Sequence, residues 1–450
     1  MNTNKTQSTD IFTNTEFEQT TLSFIDFLSR SPGPFHAIAN FEAKLLGCGF
    51  RRLYEEDSWQ LRPGGDYFII RADSSLIAFR VPEADFENFQ VVACHSDSPS
   101  FWIKENPEIG TAGHYISLNI EKYGGMLLAP WLDRPLSVAG RVLVRNEDIL
   151  ESKLVSIDRD LCLIPNLAIH MNRKANEDKS WQIQKELLPL FGEAASCPSL
   201  KKLIAQQLET EEEQIVTMDL FLYNRVPGCI WGAGREFFSA GRIDDLQCAY
   251  SAVNALMDGT NEKSVCVAAI SDHEEVGSKS LQGADSDFLS ATLERISTCL
   301  NRTKEQHQMA IAGGFLVSAD NGHALHPNYP ETADPVNRPV LNQGPVVKYS
   351  ASRKYVSDAI TGGIFREICE RAKIPVQVYT NNADIPGGST LGSLSATQLS
   401  IPSVDIGLAQ LAMHSPYETG GIKDTVYLTA ALTAFYRTHI RTRHGSYYLE

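Results

Sequence analysis

The sequence predicts an α/β protein whose parallel sheet is covered by helices and interrupted by a β-rich insertion. Two observations support this fold class. Helical and strand-like segments alternate from residue 244 onward, which is typical of parallel strands with helices on both faces. In the middle of the chain, alternating and β-branched segments replace that pattern. We therefore predict an α/β domain formed by residues 1–100 and 241–450, with residues 101–240 inserted into it.

The N-terminal part of the chain predicts two helices and then three strands. Apolar residues recur with helical spacing in Thr20–Arg30 and Phe41–Leu46, and the stretch Ser31–Pro34 contains Pro and Gly that separate them. The strands are short apolar runs, and the third leads directly to a histidine. They are Tyr67–Arg71, Leu76–Val81 and Phe89–Cys94.

The middle of the chain has the pattern of strands. Ser137–Arg145 and Val216–Tyr223 are alternating or β-branched. The acidic cluster Glu209–Glu213 is interpreted as a solvent-exposed helix end. These features predict the β-rich insertion.

The C-terminal part predicts helices that alternate with strands. Periodicity indicates strands over Ser264–Ile270, Phe315–Ser318 and Val376–Thr380. The predicted helices are Asp245–Leu256, Asp287–Leu300, Tyr355–Ala372 and Thr425–His439.

Composition and charge exclude several classes of function. The 40 Lys and Arg residues stand against 55 Asp and Glu residues, a net charge of −15 with a pI near 5.3, which argues against nucleic-acid binding. The apolar stretches are shorter than the ~18 residues of a membrane helix, and the polar first twenty residues do not resemble a secretory signal. Nine scattered cysteines fit reduced thiols. We therefore expect a cytoplasmic protein with no nucleic-acid or membrane partner.

Histidine and carboxylate residues follow several of the predicted strands. Because ligands bind beyond the carboxyl ends of parallel strands, these residues are expected to lie close together. Two imidazoles and three carboxylates suit two divalent ions that share one carboxylate, and so many acids would repel one another without a cation. An ordinary explanation is also open for each residue, such as N-capping of the next helix by Asp244 and Asp245. The candidates are His95, Asp97, Asp244, Glu274, Glu275, Asp320 and His414.

Other catalytic patterns are weaker. Cys94 adjoins His95, but neighbours in the chain seldom have the geometry of a thiol–imidazole pair. The chain has no P-loop pattern, and the stretch Gly387–Thr390 differs from the G-x-S-x-G elbow of serine hydrolases. We interpret that stretch as a turn in which the bare backbone, at Gly388, closely approaches a ligand.

Six motifs in fixed order resemble those of the M18 metalloaminopeptidases, the family of the aspartyl aminopeptidases. The motifs are ACHSDSP, GRIDDL, SDHEEVGS, SADNGHALHPNY, NADIPGGSTLG and QLAMHS, and the N-terminal SPGPFHA is also similar. Together these motifs are spread over nearly the whole chain. The resemblance implies an α/β, phosphorylase/hydrolase-like dizinc exopeptidase domain with an inserted β-rich dimerisation domain. It also implies a homo-oligomer in which dimers assemble into a tetrahedral dodecamer.

The resemblance assigns the candidate residues to two metal sites. It implies two divalent ions per subunit, zinc in the first place, although these ligand types also accept manganese or cobalt. Glu274 would be the general base that takes the proton of a water bridging the two metals, and Asp97 would orient His95. The implied ligands are His95 and Asp320 at one site, Glu275 and His414 at the other, and Asp244 at both.

The same resemblance assigns residues to substrate binding. His170, in IPNLAIHMNR, would reach the active site of a neighbouring subunit. Lys348 lies where acid-preferring members have a lysine, so it would favour an N-terminal Asp or Glu. Asp384 would hold the free α-amino group of the peptide. Gly387 stands where many members have cysteine, and some relatives prefer neutral residues.

The leading hypothesis is a cytoplasmic zinc aminopeptidase that removes acidic N-terminal residues from peptides. One alternative is an aminopeptidase with a neutral or broad preference. Another is a dimetal amidohydrolase that acts on a different amide, such as an N-acyl amino acid. A non-catalytic assembly protein is disfavoured, because every ligand position of the family is filled and Glu274 is present.

Overall fold

The computed structural model describes residues 11–83, 85–177, 179–385, 387–388 and 390–450. Residues 1–10, half of the polar N-terminal stretch, and Ser389 of the predicted turn therefore lie outside the described residues. Within this part, no helix is long and apolar enough to cross a membrane. The α-helices are α1 (Asn14–Ser29), α2 (Pro34–Gly47), α3 (Ile183–Glu186), α4 (Leu200–Gln207), α5 (Ile243–Asp258), α6 (Phe288–Cys299), α7 (Lys304–Ala312), α8 (Ala359–Arg371), α9 (Gly392–Leu399) and α10 (Asp424–Arg437).

The largest sheet has nine strands and a parallel centre. In spatial order, with strands numbered along the chain, it contains β1 (Arg51–Leu53), β2 (Asp66–Arg71), β3 (Ser75–Arg80), β13 (Ser264–Ser271), β4 (Asn88–His95), β14 (Phe315–Ala319), β18 (Ser403–Gly407), β16 (Val346–Lys348) and β17 (Gln377–Tyr379). The strands β13, β4, β14 and β18 are parallel to their neighbours in this group. On either side of the group, β3 and β16 pair with it in antiparallel fashion.

Helices cover both faces of the nine-stranded sheet, as predicted. Successive residues of β4 point to opposite faces, as the period of a strand requires. Val92 and Cys94 belong to the core shared with α1, α2, α5, α8 and α10. Val91 and Ala93 belong to the core shared with α6, α7 and α9. Since both faces are buried, the central strands are continuous apolar runs in the sequence.

A second sheet of six strands is antiparallel throughout and has its own apolar core. In spatial order its strands are β8 (Ile149–Ser156), β7 (Leu136–Asn146), β10 (Ile215–Asn224), β5 (Ser100–Thr111), β6 (Tyr115–Tyr123) and β9 (Leu190–Glu193). An α/β part with an added β-rich part confirms the predicted fold class. The division at residues 100 and 240 stays a prediction, and the strands of this sheet end at Asn224.

A five-stranded sheet connects two distant parts of the chain. It contains β11 (Cys229–Trp231), β12 (Phe237–Ala240), β20 (Glu418–Gly421), β19 (Ala409–Leu411) and β15 (Gly322–His323), in this spatial order. Ala240 pairs with Glu418, so the segments next to Asp244 and His414 lie side by side. A separate hairpin consists of β21 (Ile440–Arg443) and β22 (Ser446–Leu449).

Most predicted elements are present, with shifted ends. The helix predicted to begin at Tyr355 begins later, as α8, because Asp358 caps it. The Asp358 carboxylate accepts the backbone N–H groups of Ile360 and Thr361, at 2.9 and 2.8 Å. The preceding residues instead form the loop that follows β16.

Candidate active site

The predicted metal ligands converge at the carboxyl ends of the central strands. His95 is the last residue of β4, the 3-10 helix Glu274–Val276 follows β13, and Asp320 follows β14. Asp244 lies at the start of α5, and His414 follows β19, so the five-stranded sheet supplies both of these residues. The arrangement agrees with the rule that ligands bind beyond the carboxyl ends of parallel strands.

Asp244 belongs to two groups of potential ligands. It lies with His95 and Asp320 in one group, and with Glu275 and His414 in the other; within each group the ligand atoms are at most 4.8 Å apart. Its Oδ1 is 3.6 Å from His95 Nε2, and its Oδ2 is 3.4 Å from His414 Nε2. His414 Nε2 is also 3.3 Å from Glu275 Oε1. Asp244 therefore faces one histidine with each carboxylate oxygen.

The donor set fits divalent metal ions. Asp244 Oδ1 and Glu275 Oε1 are buried, and the described residues offer neither of them a hydrogen bond. An unsatisfied buried acceptor costs about 1–3 kcal/mol, whereas a cation would satisfy it. Imidazole and carboxylate are also the oxygen and nitrogen ligands that zinc accepts.

Asp245 lies in the same cluster but has different partners. Its carboxylate accepts the backbone N–H groups of His95 and Asn321, both at 3.3 Å. The N-cap of α5 is Arg242, and no side-chain hydrogen bond caps this helix. The expectation that Asp244 and Asp245 cap this helix is therefore wrong. Asp244 faces the cluster, and the Asp245 carboxylate bonds to the backbone at the ends of two adjacent strands.

Asp97 lies behind His95 and is only 1% exposed. Its Oδ1 lies 3.3 Å from His95 Nδ1 and accepts the backbone N–H of Glu274 at 3.1 Å. Its Oδ2 accepts the backbone N–H of Glu275 at 3.2 Å and the hydroxyl of Tyr123 at 2.7 Å. Burial would raise the pKa of Asp97, but its neighbours, His95 first and then Tyr123 and the Glu275 backbone, together outweigh burial and lower the pKa. The charged Asp97 carboxylate therefore contacts the His95 ring and the backbone N–H groups of Glu274 and Glu275.

Glu418 is a buried acid that the sequence analysis missed. Its carboxylate accepts the backbone N–H groups of Ile243, Asp244 and His414, at 2.7, 3.1 and 2.8 Å. It therefore fixes the backbone at two predicted ligand positions. Only its spatial proximity identifies it, because Glu418 lies within β20, where no neighbouring motif marks it.

Burial and mutual repulsion change the acidity of the cluster. Burial raises the pKa of Glu274 to about 8. It also raises the pKa of Asp320 to about 6, although the ammonium of Lys348 opposes the shift. At Asp244 burial acts in the same direction, but the nearby imidazoles of His414 and His95 together outweigh it and lower the pKa. A bound cation would lower the pKa of these carboxyl groups and so favour their charged forms.

Lys348 lies beside the cluster. It is 2% exposed, and its Nζ donates a hydrogen bond of 2.8 Å to the carbonyl of Asn321. The same Nζ is 3.8 Å from Asp320 Oδ1 and 5.6 Å from the ring centre of Tyr355. Burial would lower the pKa of Lys348, but Asp320 and other nearby acidic groups together outweigh it and raise the pKa, so this lysine is charged at neutral pH.

The other predicted substrate-binding residues lie on exposed loops. His170 follows the bridge residue Ile164 in the β-rich part, and Asp384 and Gly388 belong to the loop before α9. Among the described residues, no hydrogen bond or ion pair joins any of these three to the cluster. The Asp384 backbone N–H instead donates to the side chain of Asn382, at 3.0 Å.

The fold and the cluster together define the class of α/β metallo-exopeptidases. A family model described as aminopeptidase I zinc metalloprotease (M18) matches residues 27–436. A probable M18 family aminopeptidase 2 of Clostridium acetobutylicum is 43% identical over 420 residues, which are 92% of this chain and 97% of that relative. The chain therefore belongs to the M18 family of zinc metalloaminopeptidases, and it is a hydrolase. This finding confirms the predicted family and enzyme class.

Solved structures are similar over nearly the same length. A chain in the structure of the Ape4 and Nbr1 complex has a TM-score of 0.90 at 34% identity, over 94% of this chain and 86% of that one. A chain of the S. cerevisiae mApe1 dodecamer has a TM-score of 0.82 at 26% identity, over 93% of this chain and 97% of that one. The M18 fold thus extends over both the α/β part and the β-rich part.

Proposed function

We propose that this aminopeptidase binds two divalent metal ions, most simply zinc, and removes acidic N-terminal residues from peptides. The observation that carries the proposal is the pair of ligand groups that share Asp244, with Glu274 beside them. Bound divalent ions would polarise the scissile carbonyl and favour deprotonation of water. The proposed ligands are His95 and Asp320 at one site, Glu275 and His414 at the other, and Asp244 at both.

Glu274 is the proposed general base. It lies within 4.8 Å of ligand atoms of His95 and Glu275, but it is outside both groups that contain Asp244. Its carboxylate is therefore available for proton transfer, and the Asp97 carboxylate fixes its backbone N–H. A pKa raised by burial to about 8 suits a group that accepts a proton from water and returns it to the leaving amine near neutral pH.

Lys348 is the proposed source of the acidic preference. Its ammonium group has three donor hydrogens. Among the described residues it makes one hydrogen bond, to the Asn321 carbonyl. A substrate carboxylate close to Asp320 could accept another, and a charge-assisted hydrogen bond in a buried site is stronger than a neutral one. Peptides that begin with Asp or Glu would then be favoured.

We also propose that the chain forms a homo-oligomer in which His170 enters the active site of a neighbouring subunit. The loop around His170 exposes Leu167, Ile169 and Met171, the last of them 75% exposed. Contiguous exposed apolar residues are typical of protein interfaces. The related mApe1 chain comes from a dodecamer, and dimers assembled into a tetrahedral dodecamer are the proposed form here.

The remaining assignments complete this proposal. Residues 101–240 would form the dimerisation domain between the two parts of the α/β domain, residues 1–100 and 241–450. Asp384 would hold the free α-amino group, and the Gly388 backbone would approach the substrate. A cytoplasmic location is supported by the cysteines, since all nine are free thiols.

A panel of aminoacyl arylamides tests the proposed function. We expect hydrolysis of the Asp and Glu arylamides to exceed that of the Ala, Leu and Lys compounds. A chelator should abolish activity, and Zn²⁺, Mn²⁺ or Co²⁺ should restore it. Cleavage of the N-acetylated Asp arylamide would instead indicate an amidohydrolase with no need for a free amine. If the protein bound no metal and no metal activated it, both the aminopeptidase and the amidohydrolase hypotheses would be contradicted.

The Lys348→Met variant tests the specificity pocket within the same panel. Loss of the ammonium group should lower kcat/KM for Asp and Glu substrates at least about tenfold relative to Ala and Leu, equivalent to about 1.4 kcal/mol. The exposed Lys354→Met variant is the matched control. An equal decrease for every substrate would contradict the acidic pocket and indicate that Lys348 supports Asp320 instead.

A further inference from the structure

The end of β6 brings the six-stranded sheet into contact with the metal-ligand cluster. Tyr123 is the last residue of β6, and Gly124 and Gly125 follow it. We call these three residues the β6 end segment. Although they belong to the β-rich part, each contacts a residue that holds or forms part of the cluster.

Tyr123 contacts the cluster through Asp97. Its hydroxyl donates a hydrogen bond of 2.7 Å to Asp97 Oδ2. Its ring packs edge-on against Phe221 of β10, at 5.4 Å and 80°, and lies 6.2 Å from the ring of His273. The phenol is therefore held by its ring contacts on the sheet as well as by its hydroxyl. Without the hydroxyl, Oδ2 would keep, among the described residues, only the backbone N–H of Glu275.

The two glycines contact the other side of the cluster. Gly124 has φ +77°, and a Cβ atom there would lie 3.1 Å from Glu275 Cβ. A Cβ atom at Gly125 would lie 3.9 Å from His414 Nδ1. Two residues further on, the Leu127 backbone N–H donates to the His414 carbonyl, at 3.1 Å. The β6 end segment thus touches both Glu275 and His414.

We propose that Tyr123 is a positioning residue that aligns His95, Glu274 and Glu275 through Asp97, so that ligand geometry depends on the six-stranded sheet. One carboxylate joins these groups, because Asp97 meets the His95 ring and both glutamate backbones. The inference rests on the metal site and general base proposed above. Replacing residues that orient metal ligands without binding the metal themselves typically changes metal affinity or activity about 10–100-fold.

The Tyr123→Phe variant tests this positioning role. Metal-free protein is titrated with Zn²⁺ against a chelating dye, and with Co²⁺ while its visible absorption is recorded. We expect about 10–100-fold weaker zinc binding, a changed cobalt spectrum and a lower kcat with little change in KM. Tyr115→Phe is the matched control, because Tyr115 lies exposed at the other end of β6. A Tyr123→Phe variant with the affinity, spectrum and kcat of the wild type would overturn the proposal.

A pair of glycine variants tests the same segment without altering Tyr123. Gly124 and Gly113 have similar positive φ angles, +77° and +69°, but a Cβ at Gly113 would meet nothing within 4 Å. Backbone strain should therefore be similar in Gly124→Ala and Gly113→Ala, and only the former should displace Glu275 and weaken zinc binding. If Tyr123→Phe fails to fold, this pair of variants still tests whether the β6 end segment positions Glu275. Equal zinc binding by Gly124→Ala and Gly113→Ala would contradict the proposal.

Failure of this inference differs from failure of the proposed function. Wild-type protein that binds no zinc and has no chelator-sensitive activity would overturn both. Wild-type protein that binds zinc and is active, alongside Tyr123 and Gly124 variants that behave identically to it, would overturn only the role of the β6 end segment.

Discussion

Adjacent glutamates at the active site have different surroundings and, we propose, different roles. Glu275 Oε1 lies 3.3 Å from His414 Nε2 and belongs to a group with Asp244, whereas Glu274 lies outside the groups that contain Asp244. Burial raises the pKa of both side chains. These surroundings fit the proposed roles of Glu275 as a ligand and of Glu274 as a base.

Glu274→Gln should retain metal and lose turnover. Glutamine has nearly the shape of glutamate but cannot accept the proton, and general-base catalysis typically contributes about 10²–10⁴-fold. We expect kcat to fall by about that factor, with metal content measured by mass spectrometry unchanged. Glu275→Gln should instead lose metal, and Glu262→Gln, at an exposed position, should change neither quantity. A near-normal kcat in Glu274→Gln would remove this residue from the mechanism.

Local sequence reveals ligands better than it reveals their supports. His95 and Asp320 directly follow apolar strands, so their position in the sheet could be predicted from the sequence. Tyr123 and Glu418 could not be, because each bonds to a segment distant in the chain: Tyr123 to Asp97, 26 residues away, and Glu418 to a backbone 175 residues away as well as to that of His414. Their side chains carry no local signal, and only the assembled sheets bring them to the cluster.

At the scale of elements, predictability follows burial. β4 and β13 are buried along their length on both faces, and their continuous apolar runs were predicted nearly to the residue. β16 and β19 have three residues each, too few for a recognisable alternation. Only their hydrogen bonds with other strands of the sheets define them. Lys348 is the last residue of β16, and His414 follows β19.

The helix α2 carries a histidine that should make stability depend on pH. Burial lowers the pKa of His36 from 6.5 to about 4, and the nearby Arg242 acts in the same direction. Its buried Nδ1 has no hydrogen-bond partner among the described residues. Since the unfolded chain accepts this proton near pH 6.5 and the folded chain resists it, protons favour unfolding between these pKa values.

The wild type should therefore lose up to about 3 kcal/mol of stability through His36 as the pH falls from about 6.5 to about 4. Urea unfolding of metal-free protein across this range measures the loss. His36→Gln should lose less stability over the same range, because it removes the titrating group. His114→Gln, at an exposed position, should follow the wild type. Parallel curves for the wild type and His36→Gln would show that His36 does not titrate as expected.

At the scale of the whole molecule, we propose two separate connections between the β-rich part and catalysis. Within one chain, the β6 end segment touches the ligand cluster through Tyr123. Across chains, the exposed loop around His170 would reach a second cluster. Because Tyr123 lies at the end of β6 and His170 lies in an exposed loop outside the strands, the oligomer and the ligand geometry should be separable by substitution. Tyr123→Phe should weaken metal binding in an intact oligomer, whereas substitution of His170 should leave metal binding unchanged.

His170→Phe should lower kcat at least about tenfold, because each active site would lose a general acid–base or binding group that the neighbouring subunit supplies. The oligomer, measured by light scattering, should stay intact. His114→Phe, an exposed histidine in the same part of the chain, is the control. Coexpression with Glu274→Gln sharpens the test. In a mixed dimer, the His170→Phe subunit keeps Glu274 and receives His170 from its neighbour, so random pairing should restore activity to about a quarter of the sites. A fully active His170→Phe oligomer, or mixed oligomers without recovery, would contradict the shared site.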